Sequence, residues 1–270
     1  MDLSFIKQEL SNKGYCVVSN VLNETEINRC KHSFQYWLND IPDHNHIYNG
    51  IYKYHNAGHT WHAWFSRTHP NIQKIFKHIW NCNDLIVSFD GCCYIPKECN
   101  EKDSFWTHTD QAPNSHGFQC IQSFLSFTEN KERTFVVYEG THKLHETYFK
   151  NINSDNNWHV FDEDYIRSLQ SFKRILHVKP GDLVLWDSRT YHQNQYGTPN
   201  SETRMVQYIC FFPKNHPENT KELQKIRRHY YETRRTTTHW PAPIYAIEPK
   251  IPENTLMDLC EFKDKIQNII

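Results

Sequence analysis

The stretch WTHTDQ, residues 106–111, sets His108 and Asp110 two positions apart. On an extended strand end, side chains at i and i+2 lean to the same side, so an imidazole and a carboxylate at this spacing can reach one ion. A third ligand is needed, and the best candidate is His192, which ends the run KPGDLVLWDSRTYH. There Pro180-Gly181 makes a turn, Leu183 to Trp186 make a strand, and the histidine falls just past the strand's end. Two imidazoles and one carboxylate form the donor set that holds non-haem Fe(II) and leaves positions open for a co-substrate and oxygen. Zinc accepts the same donors, so a zinc hydrolase is a competing chemistry. A divalent ion held this way keeps net positive charge, which suits an anionic co-substrate. Arg204, at the start of the next strand, offers a guanidinium that can pair bidentately with a carboxylate extending from the metal.

Strands must position these residues. From Leu85 to Pro213 the apolar runs LIVSFDGCCYI, CIQSFLSF, TFVVYEG, RILHVKPGDLVLWD and TRMVQYICFF alternate with polar turns. Short strands punctuated by Gly, Pro, Asn and Asp predict an all-β barrel or double-sheet roll. Ahead of them, a short helix is expected from Leu3 to Leu10, stopped near Gly14, then a strand in YCVVSNVL. Asn23 and Glu26 stand at the capping-box interval, and Ile27, Cys30, Phe34 and Leu38 follow at helical spacing. Pro70 suits the first turn of a further helix carrying Ile72, Ile75 and Ile79 on one face. The asparagine-rich segment Asn151 to Asp164 reads as an insertion loop, and a charged helical pattern runs from Pro217 to Tyr231. No Gly/Ser linker divides the chain, so one domain is expected over 1–270: N-terminal support in 1–84, a β core in 85–213, and a C-terminal helix and tail in 214–270.

The motifs WTHTDQ, VVYEGTHK and GDLVLWDSRTYHQN, with Arg204 a dozen positions after His192 and GYCVVSNVLNETEI near the start, have a recognisable pattern. The chain resembles the phytanoyl-CoA dioxygenase-like branch of the Fe(II)- and 2-oxoglutarate-dependent oxygenases. That resemblance implies a mainly β fold with flanking helices, a double-stranded β-helix of the jelly-roll, cupin-like kind. It implies His108, Asp110 and His192 as iron ligands and Arg204 as clamp for 2-oxoglutarate. It further implies hydroxylation of a C–H bond, with molecular oxygen consumed and succinate and carbon dioxide released. Related halogenases have Gly or Ala at the carboxylate position, so Asp110 favours hydroxylation or oxidative demethylation. Nucleic-acid repair dioxygenases have a second arginine six positions after the first, where this chain has Cys210. A catalytically silent β-barrel binding module is the alternative from another class.

Other residues admit two readings. Gln122 and Arg189 either contact the co-substrate or satisfy neighbouring structural groups, while Trp186 reads as core. HTWHAWFSR, His59 to Arg67, either lines a substrate pocket or packs an N-terminal subdomain. RRTTTHWP raises the same question by folding back over the barrel, and Arg227, Arg228, Arg234 and Arg235 read as a solvated basic face. With 38% hydrophobic and 23% charged residues the 270-residue chain is globular, and its formal net charge of -1 removes the electrostatic reason to expect a nucleic-acid partner. The nine cysteines outline no disulfide framework and fit a reducing compartment. With no signal-type or bilayer-spanning run, a cytoplasmic protein without a membrane partner is expected. A free small molecule is the leading substrate class, with a peptide side chain as the other; the oligomeric state is not readable.

Overall fold

The computed structural model of the chain describes residues 2–41, 49–152, 154, 156–247 and 257–270. Its strands are β1 (Tyr15–Val18), β2 (Ile51–Tyr52), β3 (Leu85–Val87), β4 (Cys92–Ile95), β5 (His108–Thr109) and β6 (Ile121–Ser126). They continue with β7 (Phe135–Tyr138), β8 (His159–Val160), β9 (Lys173–Ile175), β10 (Leu183–Asp187), β11 (His192–Asn194) and β12 (Arg204–Pro213). The helices are α1 (Ser4–Lys13), α2 (Glu24–Asn39), α3 (Trp61–Thr68), α4 (Pro70–Trp80), α5 (His145–Phe149), α6 (Glu163–Ser168), α7 (Lys221–Glu232) and α8 (Lys263–Gln267).

The strands form two antiparallel sheets. The larger has seven strands in the order β1-β10-β6-β12-β4-β2, with β3 also paired to β12; the smaller has five in the order β8-β5-β11-β7-β9. Strand alternation sorts the core into layers. In β10, Leu183 and Leu185 face the helices, while Val184 and Trp186 face the other sheet. Phe124 and Val206 of the large sheet meet Phe135 and Val137 of the small one in that inter-sheet layer. On the helical side, Ile6 of α1, Phe34 of α2, Trp64 of α3 and Phe76 of α4 pack against Leu125, Ile209 and Phe211. Two facing sheets with one helix-covered outer face are the expected jelly roll.

Several local expectations appear in the structure with their reasons. Asn23 Oδ1 accepts from the Glu26 amide at 3.0 Å and Glu26 Oε2 accepts from the Asn23 amide at 2.9 Å, so the capping box is complete. Pro70 occupies the first turn of α4. Gly14 ends α1 at φ 81°, and its carbonyl accepts from the Asp187 amide and the Thr190 hydroxyl, which ties the N-terminal helix to the segment before His192. All nine cysteines are free, and six of them are buried.

Two expectations change, and one of the two readings of His59 to Arg67 is met. Asn151 to Asp164 is not only a loop: within it β8 pairs with β5, opposing Val160 to His108 and His159 to Thr109. A two-residue edge strand is too short to leave a periodic signal. Arg227 is buried instead of solvated, because its guanidinium donates to Asn219 Oδ1 and to the Pro241 carbonyl across a turn of chain. The segment His59 to Arg67 packs under the large sheet: Arg67 is fully buried and donates to the Gly58 and Asp90 carbonyls, and His62 accepts or donates to Ser33 and Thr60 hydroxyls. No helix among the described residues is long and apolar enough to cross a membrane.

The inter-sheet layer holds the two sheets in register, so Phe124→Ala should cost about 3–5 kcal/mol. Urea denaturation of the variant and wild type checks this; a loss under 1 kcal/mol, well short of the ~3 kcal/mol floor of such truncations, would mean that the layer is not a packed core.

Candidate metal centre

Strand pairing brings the two histidines together. His192 of β11 is directly opposite His108 of β5, and their ring centroids are 4.3 Å apart. The turn after β5 is pinned at Ser188, whose carbonyl accepts from the amides of Asp110 and Gln111 and from the Thr109 hydroxyl. Asp110 is thereby swung towards both rings, with His108 Nε2 at 3.5 Å from Oδ1 and His192 Nε2 at 3.2 Å from Oδ2. One ligand atom from each of the three residues lies within 4.8 Å of the others. The Gly-Thr-His turn of VVYEGTHK serves the same end: Thr141 Oγ1 accepts from the Tyr191 amide, just before His192.

The outer nitrogens settle the tautomers. His108 Nδ1 lies 3.1 Å from the Trp106 carbonyl and His192 Nδ1 lies 2.9 Å from the Thr190 carbonyl. A carbonyl only accepts, so each neutral ring carries its proton on Nδ1 and turns the Nε2 lone pair inward. Two lone pairs and a carboxylate then converge, an arrangement that a cation between them, a proton or a metal ion, stabilises. The donor set and its geometry fit a divalent metal ion.

The surroundings are largely buried and aromatic. Trp106 stacks on His108 at 4.7 Å, and Phe135 and Trp186 flank His192 at 5.1 and 5.5 Å. Burial alone would raise the Asp110 carboxyl, but with no metal bound the charge and hydrogen bonds of His108 and His192, whose facing nitrogens then carry the proton, outweigh it and hold the group well below the usual carboxylate range. Burial, with His108 beside it, lowers His192 despite Asp110. Gln122, on the central strand β6, donates from Nε2 to Asp110 Oδ2 at 2.9 Å.

Arg204 lies at the other end of the site. Its guanidinium is fully buried over the Phe124 ring, and Nη1 donates to Asn194 Oδ1 at 2.8 Å and to the Thr134 carbonyl at 3.3 Å. Nε and Nη2 have no partner. The comparison with other buried arginines is decisive: Arg67, Arg133 and Arg227 each bond both terminal nitrogens to oxygen acceptors, and only their Nε is left over. Among the described residues no carboxylate pairs with Arg204, so a buried cation presents two open donors. Asn194, the partner of Arg204, lies two residues beyond His192 on the same side of β11, roughly 7 Å along the strand from it. That separation suits a short dicarboxylate held at one end by metal and at the other by Arg204.

The structure therefore brings His108, Asp110, His192 and Gln122 into contact and places Arg204 beside them. Arg189 is directed elsewhere, with Nε and Nη2 bonded to the Asp187 carboxylate at 2.9 and 2.7 Å. Trp186 is core. Sequence reasoning missed Asn194 and Tyr208, whose hydroxyl accepts from Asn194 Nδ2 at 3.2 Å. Both share a strand face with a predicted site residue, Asn194 two positions after His192 and Tyr208 four positions after Arg204. A cavity of about 440 Å³ beside α2, lined in part by Arg29, Ser33, Trp37 and Trp61, includes none of these residues.

The family model for phytanoyl-CoA dioxygenase matches residues 10–201, which contain all three candidate ligands. The Ava biosynthesis cluster protein O of Aspergillus versicolor is 30% identical over 205 residues, covering 70% of this chain, and the chain spans 65% of that relative's length. Among solved structures, EctD from S. alaskensis, determined with 2-oxoglutarate and 5-hydroxyectoine, is similar with a TM-score of 0.57 at 13% identity, over 78% of this chain and 76% of that one. The epimerase SnoN, determined in complex with Fe3+, alpha ketoglutarate and nogalamycin RO, is similar with a TM-score of 0.53 at 17% identity, over 78% of this chain and 83% of that one. At these identities the two structures speak for the jelly-roll fold, and the family match covers more than half of the sequence. The chain belongs to the phytanoyl-CoA dioxygenase family.

Proposed function

We propose that this protein is an Fe(II)- and 2-oxoglutarate-dependent dioxygenase that hydroxylates a C–H bond of a small organic molecule. The observation that carries this reading is a pair of complementary demands. Converging lone pairs at His108, Asp110 and His192 call for a cation, and the unsatisfied Arg204 guanidinium close by calls for an anion. A metal-chelating dicarboxylate answers both. Together with molecular oxygen, ferrous iron and 2-oxoglutarate supply the oxidising power for C–H cleavage.

The chain's own residues bind, orient and shield. His108 Nε2, His192 Nε2 and the Asp110 carboxylate hold the iron, and the carbonyls behind each Nδ1 fix the rings. Gln122 occupies Asp110 Oδ2 and so restrains the carboxylate's rotation. Arg204 takes the distal carboxylate of 2-oxoglutarate, with Asn194 steering its Nη1. Trp106, Phe135 and Trp186 exclude water around the imidazoles and strengthen the electrostatics within. The small-molecule substrate class draws support from the relatives, one named for a biosynthetic cluster and two solved with small molecules named.

Titrating 2-oxoglutarate into the Mn(II)-loaded protein should show Arg204→Gln weakening its affinity by about 100-fold, with metal affinity retained. Equal affinity in the variant and wild type would remove Arg204 from the co-substrate site. Gln122→Leu should lower metal affinity by about 10- to 100-fold, the usual consequence of losing a ligand's outer partner. Competition with a chelating dye reads this directly, and an unchanged affinity would reduce Gln122 to packing.

A further inference from the structure

The C-terminal segment after α7 folds back onto the end of the sheet sandwich where the metal centre lies. The Gly58 amide donates to Thr236 Oγ1 at 3.0 Å, the Phe89 amide donates to Thr237 Oγ1 at 2.8 Å, and the Thr237 amide returns a bond to the Phe89 carbonyl. A bridge between Thr237 and Ala246 closes the segment on itself. Trp240 and Ala242 then pack on Cys120, Cys210, Phe212 and Ile86, the inner face of the large sheet. Cys210 is directly opposite Gln122, the residue that bonds Asp110, so this segment lies one strand pair from the metal centre.

Two buried polar atoms on this wall have no hydrogen-bond partner, although the Asp90 carboxylate is also bonded by Ser88. One is His239 Nε2 and the other is Asp90 Oδ1. Asp90 is 4% exposed and follows Phe89, and Ser88 two residues before it donates from both its amide and its hydroxyl to the Cys210 carbonyl on this wall. His239 lies within electrostatic reach of Asp110, His192, His108 and Lys53, and Asp90 within reach of the buried Arg67 and, more weakly, of Asp110. Burial keeps the His239 imidazole on the neutral side. Leaving such groups unpaired is costly unless a ligand pairs them. Trp240 lies 5.1 Å from His239, and on the metal centre itself Trp158, 48% exposed, meets His108 edge-on at 5.7 Å.

We infer that Asp90 and His239 form the substrate-contacting wall of the site and take a neutral, flat ring system through an N–H or O–H group and a neighbouring acceptor. This rests on the metal centre described above, since the wall has a substrate to hold only if chemistry occurs there. Asp90 and His239 would fix which C–H bond faces the metal, while Trp158 and Trp240 cover the ring's faces.

The test compares histidine ring NMR signals of the full chain loaded with Zn(II) and with paramagnetic Co(II), the His239 signal being assigned by its loss in His239→Gln. The expected result is loss of the His108 and His192 signals together with a strong paramagnetic shift of His239. If His108 and His192 respond while His239 does not, the inference fails and the metal centre stands. If none responds, the metal reading fails and takes this inference with it. As a second readout, 2-quinolone and naphthalene, equal in shape, are titrated into the Co(II)-loaded protein and followed by the Co(II) visible spectrum. Wild type should prefer 2-quinolone by about tenfold, and His239→Phe and Asp90→Leu should each remove most of that preference. Equal binding of the two compounds, or no binding of 2-quinolone, overturns the assigned substrate class.

Discussion

Two imidazoles whose Nε2 lone pairs turn inward repel a carboxylate that lies 3.5 Å from one and 3.2 Å from the other unless a cation, a proton or a metal ion, sits among them. Much of the fold serves to impose that unfavourable convergence. The β5–β11 register sets His108 against His192, the Ser188 carbonyl turns Asp110 inward, and the Trp106 and Thr190 carbonyls fix the protons on the outer nitrogens. Gly14 extends the constraint to the N-terminal helix: a Cβ there would come within 2.6 Å of the Thr190 hydroxyl, the residue whose carbonyl orients His192.

The buried Arg204 is the electrostatic counterpart of this arrangement. In the proposed reading, an anion between the two would bind a metal at one end and a guanidinium at the other, and it would relieve both desolvation penalties at once. Asn194 links the two ends, since it follows His192 on β11 and accepts from Arg204. The same principle separates Arg204 from Arg189. Arg189 already has its carboxylate in Asp187, and Arg204 has none among the described residues.

The legible parts of the sequence were those with local periodicity or special chemistry. The i, i+2 spacing of His108 and Asp110, the strand before His192, the capping box at Asn23 and the alternating runs of the β core all follow from neighbours in sequence. The remainder depends on contacts between distant segments. Arg227 is buried because Asn219 and the Pro241 carbonyl come to it. The wall carrying His239 exists because Thr237 bonds Phe89 across the fold, and β8 is visible only once β5 is beside it. Asn194 and Tyr208 were within reach of the strand-alternation rule, but uncharged side chains inside apolar strands gave no reason to apply it.

The central claim is that one metal ion and one 2-oxoglutarate molecule meet at His108, Asp110, His192 and Arg204. Anaerobic addition of Fe(II) and then 2-oxoglutarate to metal-free protein tests it most directly, because chelation by the keto acid produces a visible metal-to-ligand charge-transfer band. The account predicts that the band develops in the wild-type protein and is absent from His108→Ala. Folded wild-type protein that develops no band, or a His108→Ala variant that keeps it, would contradict the account.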